Sequence, residues 1–256
     1  MAAITPVMAC SWLRHRGDPT QRMPGRWMRR LARASSALCP LWHFRTEGDV
    51  PADIAHRAYV VVANHKSAAD PFLLSWLPWD MRWVAKQELF RLPILGWTFK
   101  FSGDIPLRRG DGDSVRETME VCRRSLAAGI SIMIFPEGTR SKTGSLLPFK
   151  DGAFRLAIEA GVPILPIAIE GTRSCVQAGT LRLGRADATA RVLAPIATAG
   201  ATLEDVASVR DAARAQIQTA LDELRDRRHG ARAASPPVPL PSGARRRSRE
   251  ARAYPR

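Results

Sequence analysis

The chain has 256 residues, 45% of them hydrophobic, and a formal net charge of +15; that supports one substantial core and excludes two full domains. The charge gathers at the ends, with seven arginines against Asp18 in residues 1–35 and seven against Glu250 in residues 230–256. The middle is only mildly basic, which favours an anionic surface as neighbour over a groove tracking a nucleic-acid backbone, although composition alone does not choose between membrane and nucleic acid.

Cys10, Cys39, Cys122 and Cys175 stand in neither metal-ligand nor disulfide-framework spacing, so no metal is expected and a reducing compartment is. A spanning helix needs about 18 apolar residues free of charge, and no window supplies them. The opening "MAAITPVMACSWLRHRGD" has its basic residues after its apolar ones, a poor secretory signal. The expectation is a cytoplasmic protein resting peripherally on the inner face of a membrane.

Residues 1–57 are basic and poorly patterned, although Trp27, Leu31, Leu38 and Trp42 have the spacing of a short amphipathic helix. "YVVVA" (59–63) is a β-branched run of the kind buried on both sheet faces. Asp70-Pro71 reads as a helix start with Asp70 as N-cap, and "MRWVA" (81–85) as a strand. Ser114 and Glu117 suggest a capping box for a helix with Val115, Met119, Cys122 and Leu126 as its stripe, ended by Gly129. "ISIMIF" (130–135) and "PILPIAI" (163–169) are further buried strands, with a helix at 152–160 between them. "TLRLG" (180–184) and "ARVLA" (190–194) could add edge strands before a helix at 204–228. Strand and helix in alternation predict a single α/β domain, residues 58–229, with a mostly parallel central sheet flanked by helices. Residues 230–256, rich in Pro and Arg, are expected to be a disordered tail.

Three segments carry chemistry, each after a strand, where α/β folds place their ligand crevices. "NHKSAAD" sets His65 five residues before Asp70; on a helix the two would diverge by about 140°, so they meet only if the chain turns. They form a base with its orienting carboxylate, or Asp70 only caps a helix. In "FPEGTRS" (135–141), Gly138 admits close backbone approach, Thr139 and Ser141 offer hydroxyls, and Arg140 presents a fork matched to phosphate; the plainer reading is a polar loop. "GDIPLRRGD" adds Arg108 and Arg109, which are either phosphate contacts or solvated charge.

Together with "VPILPIAI", and with "VAKQELFRLPILGW" and "LLPFKDGAF" between them, these blocks resemble the glycerophospholipid acyltransferases of the 1-acylglycerol-3-phosphate (lysophosphatidic acid) acyltransferase type, from about Tyr59 to Glu170. The resemblance implies the glycerol-3-phosphate acyltransferase-like fold. It also implies His65 as general base on a lysophospholipid hydroxyl attacking an acyl thioester, with Asp70 holding the imidazole. Arg109, Gly138, Thr139 and Arg140 would bind the acceptor phosphate, and Glu137 would order Arg140 or hydrogen-bond an acceptor hydroxyl. Lys150 is a further anion contact or plain surface.

Implied partners are a lysophospholipid acceptor, acyl-CoA or acyl carrier protein as donor, and an anionic membrane surface; neither a cofactor nor nucleic acid is implied. Two departures stand out. Arg108 replaces the acidic residue usual before the arginine of the second block, and the membrane-spanning segment that many members carry near the amino end is not seen. Alternatives are the same chemistry on another lysolipid or glycerol 3-phosphate, a hydrolase, and a non-catalytic basic protein binding membrane or nucleic acid. Against the last, no helix-turn-helix, RNP or zinc-finger pattern is present.

Overall fold

The computed structural model describes residues 4–18, 20–176 and 182–234. Two amino-terminal helices, α1 (Ile4–Arg14) and α2 (Arg22–Ala37), precede strand β1 (Trp42–Gly48), and then β2 (Val60–Ala63), α3 (Asp70–Leu74) and β3 (Met81–Lys86) follow. After a 3-10 turn come α4 (Leu95–Ser102), β4 (Ile105–Leu107), α5 (Gly112–Ala127), β5 (Ser131–Ile134), α6 (Gly152–Ala160), β6 (Ile164–Glu170), β7 (Ala186–Val192) and α7 (Val206–Ala234).

The strands form one seven-stranded sheet in the order β1-β7-β6-β2-β5-β3-β4. β6, β2, β5, β3 and β4 are mutually parallel, β7 runs antiparallel to β6, and β1 is parallel to β7. The carboxyl ends of five strands therefore share one edge, and β2 lies inside the sheet with β6 and β5 beside it. The expected mostly parallel sheet flanked by helices is what the chain builds.

β2 is buried along its whole length because both faces are covered. Val60 and Val62 pack with Cys122 and Leu126 of α5, Phe154 of α6 and Ile217 and Leu221 of α7. Val61 and Ala63 turn the other way, onto Leu73 and Leu74 of α3, Met81 and Trp83. Val206, Val209, Ala213, Ile217, Leu221 and Leu224 all face the core, as the spacing in α7 predicts.

Several local expectations are corrected. Residues 1–57 contribute β1 to the sheet, so the sheet does not begin at 58. The amino-terminal region holds two helices rather than one; Leu38 lies at the end of α2 and is 84% exposed, and Trp42 opens β1. α5 starts at Gly112, capped by Asp111, whose side chain accepts from Ser114 N at 3.0 Å, while the Ser114 hydroxyl accepts from Arg108 N at 3.1 Å. Ser114 is therefore not the cap, and Val115 is exposed.

The second late strand is Ala186–Val192 rather than 190–194, and of "TLRLG" only Leu183 makes an isolated bridge, to Val176. Residues 180 and 181 lie outside the described residues, as do residues 235–256 of the expected 230–256 tail, whose first residues instead continue α7 as far as Ala234. Among the described residues no helix is long and apolar enough to cross a membrane, and no group of His, Cys, Asp and Glu is placed to hold a metal ion.

Candidate active site

β2 stops at Asn64 because that side chain continues the sheet's hydrogen bonding in place of backbone. Its amide donates to the Ile169 carbonyl at 2.9 Å and its oxygen accepts from Ile169 N at 2.7 Å. The end of β2 is thereby locked to β6, and the chain is free to turn through His65–Ala69.

The turn brings His65 and Asp70 together. His65 Nδ1 lies 2.7 Å from Asp70 Oδ2, and the same oxygen accepts the backbone N–H groups of Lys66 at 2.7 Å and Ser67 at 2.9 Å. Asp70 is the first residue of α3 rather than its N-cap, which is Ala69, and no side-chain capping bond is made. One carboxylate oxygen, Oδ2, is spent on the loop and the imidazole, as a residue that orients a base requires. With Nδ1 assigned as donor to the carboxylate, Nε2 keeps its lone pair. The Phe135 ring stacks on the imidazole, centroids 4.0 Å apart and 17° from parallel, and Trp83 lies 6.2 Å beyond Phe135.

The loop after β5 is fastened to the same turn. Glu137 is buried; Oε1 accepts His65 N at 2.6 Å and Oε2 accepts Leu147 N at 3.0 Å. Burial pushes its pKa up, against the pull of those two amides and of His65 and Lys66. Glu137 therefore braces the backbone, both of its oxygens being spent on amides, and it makes no ion pair with Arg140 among the described residues. Ser141 donates its N–H to the His65 carbonyl at 2.9 Å, and its hydroxyl accepts Gly144 N at 3.0 Å, so that hydroxyl too is committed. Gly138 has φ +69°, and a Cβ there would meet Lys150 Cε at 3.1 Å, so Lys150 covers the glycine.

Thr139 and Arg140 project outward as exposed residues, with no side-chain hydrogen bond or ion pair among the described residues. Arg109 is likewise exposed at the end of β4. Arg108 is not available, since it bonds Gln87 at 3.0 Å and Asp111 at 2.9 Å. β4 lies three strands from β2, roughly 14 Å along the edge. Arg109 is thus on the same edge as His65 but outside its immediate shell. Lys86, at the end of the intervening β3 and paired with Glu88 at 3.2 Å, is a cation of that edge which the sequence reading passed over.

Other residues also escaped that reading. Lys66 is buried and paired with Glu170, which Arg225 approaches at 3.3 Å. Burial pulls the Lys66 pKa down, partly offset by Glu170. Three arginines also hold the carbonyls of the loop carrying Arg140. Arg173 donates to Lys142 O at 2.6 Å and Thr143 O at 2.7 Å, Arg225 to Gly144 O at 2.9 Å, and Arg214 to Leu146 O at 3.3 Å. Arg214 and Arg225 are about three helical turns apart on α7, and their repeat beside the apolar stripe was the available signal.

Comparison with known proteins adds to this geometry. The Acyltransferase family profile matches residues 43–170. A chloroplastic 1-acyl-sn-glycerol-3-phosphate acyltransferase of Brassica napus is 35% identical over 147 residues, covering 57% of this chain and 43% of the relative. The 1-acyl-sn-glycerol-3-phosphate acyltransferase alpha of Homo sapiens is 36% identical over 168 residues, 65% of this chain and 59% of the relative. The chain thus spans about half the length of the curated relatives it matches. The crystal structure of the 1-acyl-sn-glycerophosphate acyltransferase PlsC from Thermotoga maritima superposes with a TM-score of 0.63 over 78% of this chain and 80% of that one, at 23% identity, a likeness of fold.

Proposed function

This chain belongs to the acyltransferase family, and from that premise we propose that it transfers a fatty acyl group from an acyl thioester to the free hydroxyl of 1-acylglycerol 3-phosphate, giving phosphatidic acid in phospholipid biosynthesis. The observation that carries the reading is the His65 Nδ1–Asp70 Oδ2 contact at 2.7 Å on a turn directly fastened to the Arg140 loop by Glu137 and Ser141. A base and a phosphate grip are thereby built into one rigid unit.

In the proposed reaction His65 Nε2 takes the proton of the acceptor hydroxyl as that oxygen attacks the thioester carbonyl. Asp70 fixes the tautomer and stabilises the imidazolium. When the tetrahedral intermediate collapses, the C–S bond breaks and the imidazolium returns its proton to the departing thiolate. No covalent acyl-enzyme is needed, and the chain has no G-x-S-x-G elbow. A placed base contributes about 10²–10⁴-fold, so holding two substrates in register supplies much of the remainder. Arg140, with Thr139 and the amides around Gly138, grips the acceptor phosphate, and Arg109 reaches it from along the edge. The acyl donor, CoA- or carrier-protein-linked, is a co-substrate, and no cofactor enters these steps.

The setting that suits such an acceptor is the cytoplasmic face of an anionic membrane, held peripherally. Supporting this are the positive charge of +15 and α2, whose Arg26, Arg30 and Trp27 are exposed. The test is incubation of purified protein with labelled acyl-CoA or acyl carrier protein and a panel of lyso-acceptors including glycerol 3-phosphate. Phosphatidic acid as the dominant product supports the reading. Transfer to a different acceptor replaces the substrate, and a lack of transfer to every acceptor, with either donor, overturns it.

A further inference from the structure

Away from the His65 site, the connection from β3 through α4 presents Leu92, Ile94 and Trp97 at 46%, 38% and 58% exposure. Single exposed apolar residues are ordinary; three within one short segment are not, and this segment is held rigidly. Gly96 N donates to Leu92 O at 2.8 Å, Phe90 and Phe99 pack with ring centroids 5.3 Å apart, and a Cβ on Gly96 would collide with the Phe90 backbone. Ile94 sits at φ +65°, a conformation that disfavours a β-branched residue and that the surrounding contacts hold in place. The structure therefore keeps these side chains out as a fixed lip.

Two cations bracket the lip. Arg91 and Lys100 both line a cavity of about 570 Å³ together with Gln21, Gln87, Phe90 and Pro106, a volume suited to a small polar headgroup. Arg82 and Asp104 in the same wall are already engaged, Arg82 with Ser125 at 2.8 Å and Asp104 with Ser102 at 2.6 Å and Trp83 N at 3.0 Å. Glu88, the acid near Arg91, is paired with Lys86. Arg91 and Lys100 remain without a side-chain hydrogen bond or ion pair among the described residues. Trp97 and Lys100, three apart on α4, share a face.

We infer that this is a lipid-headgroup site: the lip of Leu92, Ile94 and Trp97 enters the interfacial layer of a bilayer, and Arg91 and Lys100 take the phosphate of an anionic phospholipid at the cavity behind it. Tryptophan is favoured at that depth, and an arginine with a lysine supplies charge-assisted donors to a phosphate oxygen. The site is independent of the reaction proposed for His65, because binding is read without turnover.

The experiment is flotation of full-length protein with vesicles of phosphatidylcholine alone and with phosphatidylglycerol added. It compares wild type, the double variant Arg91→Gln/Lys100→Gln, and Leu92→Ser/Trp97→Ser. All four side chains are exposed, and circular dichroism checks the fold. The charge variant is expected to lose roughly tenfold or more in affinity for anionic vesicles while binding neutral ones as wild type does, and the lip variant is expected to lose binding to both. Wild-type vesicle affinity in both variants overturns the inference. Wild-type protein that binds inorganic phosphate through Arg91 and Lys100 but holds anionic vesicles no more tightly than neutral ones also overturns it, assigning the cavity to a soluble phosphate compound. His65→Ala serves as a control, expected to bind vesicles like wild type.

Discussion

Glu137 accepts the backbone N–H of His65 at 2.6 Å, so the residue next to the loop glycine holds the main chain of the turn two residues beyond β2. Its other oxygen takes Leu147 N at 3.0 Å, and one buried side chain thus ties three segments. Glu137→Gln keeps the shape but turns an NH₂ group towards one of those two amides. The expected outcome is a loss of about 1–3 kcal/mol in stability, read from urea midpoints, with a fall in kcat because His65 is no longer fixed. Unchanged midpoint and turnover would show the brace to be dispensable.

His65→Ala is expected to lower kcat by about 10²–10⁴-fold with the fold intact, since the ring is partly exposed and packs mainly on Phe135. Asp70→Asn should be nearly as severe, because a neutral amide cannot stabilise the imidazolium, and its NH₂ group would be buried without a partner where Oδ1 now has none or would face the imidazole, Lys66 N and Ser67 N. Single-turnover rates with saturating acceptor check both. A folded His65→Ala protein that keeps about a tenth of wild-type rate, where loss of a placed base predicts far less, would sink its role as base.

Arg140→Ala and Arg109→Ala are expected to raise the acceptor KM more than the donor KM. Hydrogen bonds to a charged group are worth about 1.5–3 kcal/mol each, so a direct contact corresponds to roughly tenfold or more. Arg140 should have the larger effect, because its loop is bonded to His65 through Ser141 whereas Arg109 stands three strands away. Varying each substrate in turn measures this; an effect confined to the donor means the grip belongs to the other substrate.

The parts of this molecule visible in the sequence are those in which side chains alone specify the outcome. Val60–Ala63 and Ile164–Ile169 read as buried strands because an unbroken β-branched or aliphatic run has few other uses, and both are buried in the sheet. Only the end of β7 is legible, within "ARVLA" (190–194); its first half escaped because Ala186 and Ala188 are small inward side chains that weaken the alternation. β1 escaped because Trp42–Gly48 is an edge strand with mostly solvent-facing polar residues.

At the site, the meeting of His65 and Asp70 could be argued from spacing and turn residues. For the arginines that hold the 142–147 loop, the partners are backbone carbonyls that leave no complementary residue in the sequence, so Arg173 left no signal and Arg214 and Arg225 left only their helical repeat. Ser141 and Glu137 show the converse. Their residue types suggested ligand contacts, and the fold spends both on its own amides.

The Lys66–Glu170 pair predicts how stability follows pH. Burial pushes the Glu170 pKa up, but Lys66, with help from Gly171 N and Arg225, outweighs it and leaves the carboxyl below its ordinary value of 4.5. A carboxylate lowered on folding stabilises the protein above its unfolded pKa, and that contribution is lost as pH falls through the folded one. Glu170→Gln removes the charge at every pH and leaves Lys66 buried without its partner, so it should cost about 3–5 kcal/mol at neutral pH. As acid protonates Glu170 in the wild type, the two proteins should converge. Urea midpoints at neutral pH and below the ordinary carboxylate range test this, and a gap that stays constant excludes the ion pair as its cause. The double variant Lys66→Met/Glu170→Gln should recover much of the loss at neutral pH, because it removes the stranded charge as well as its partner.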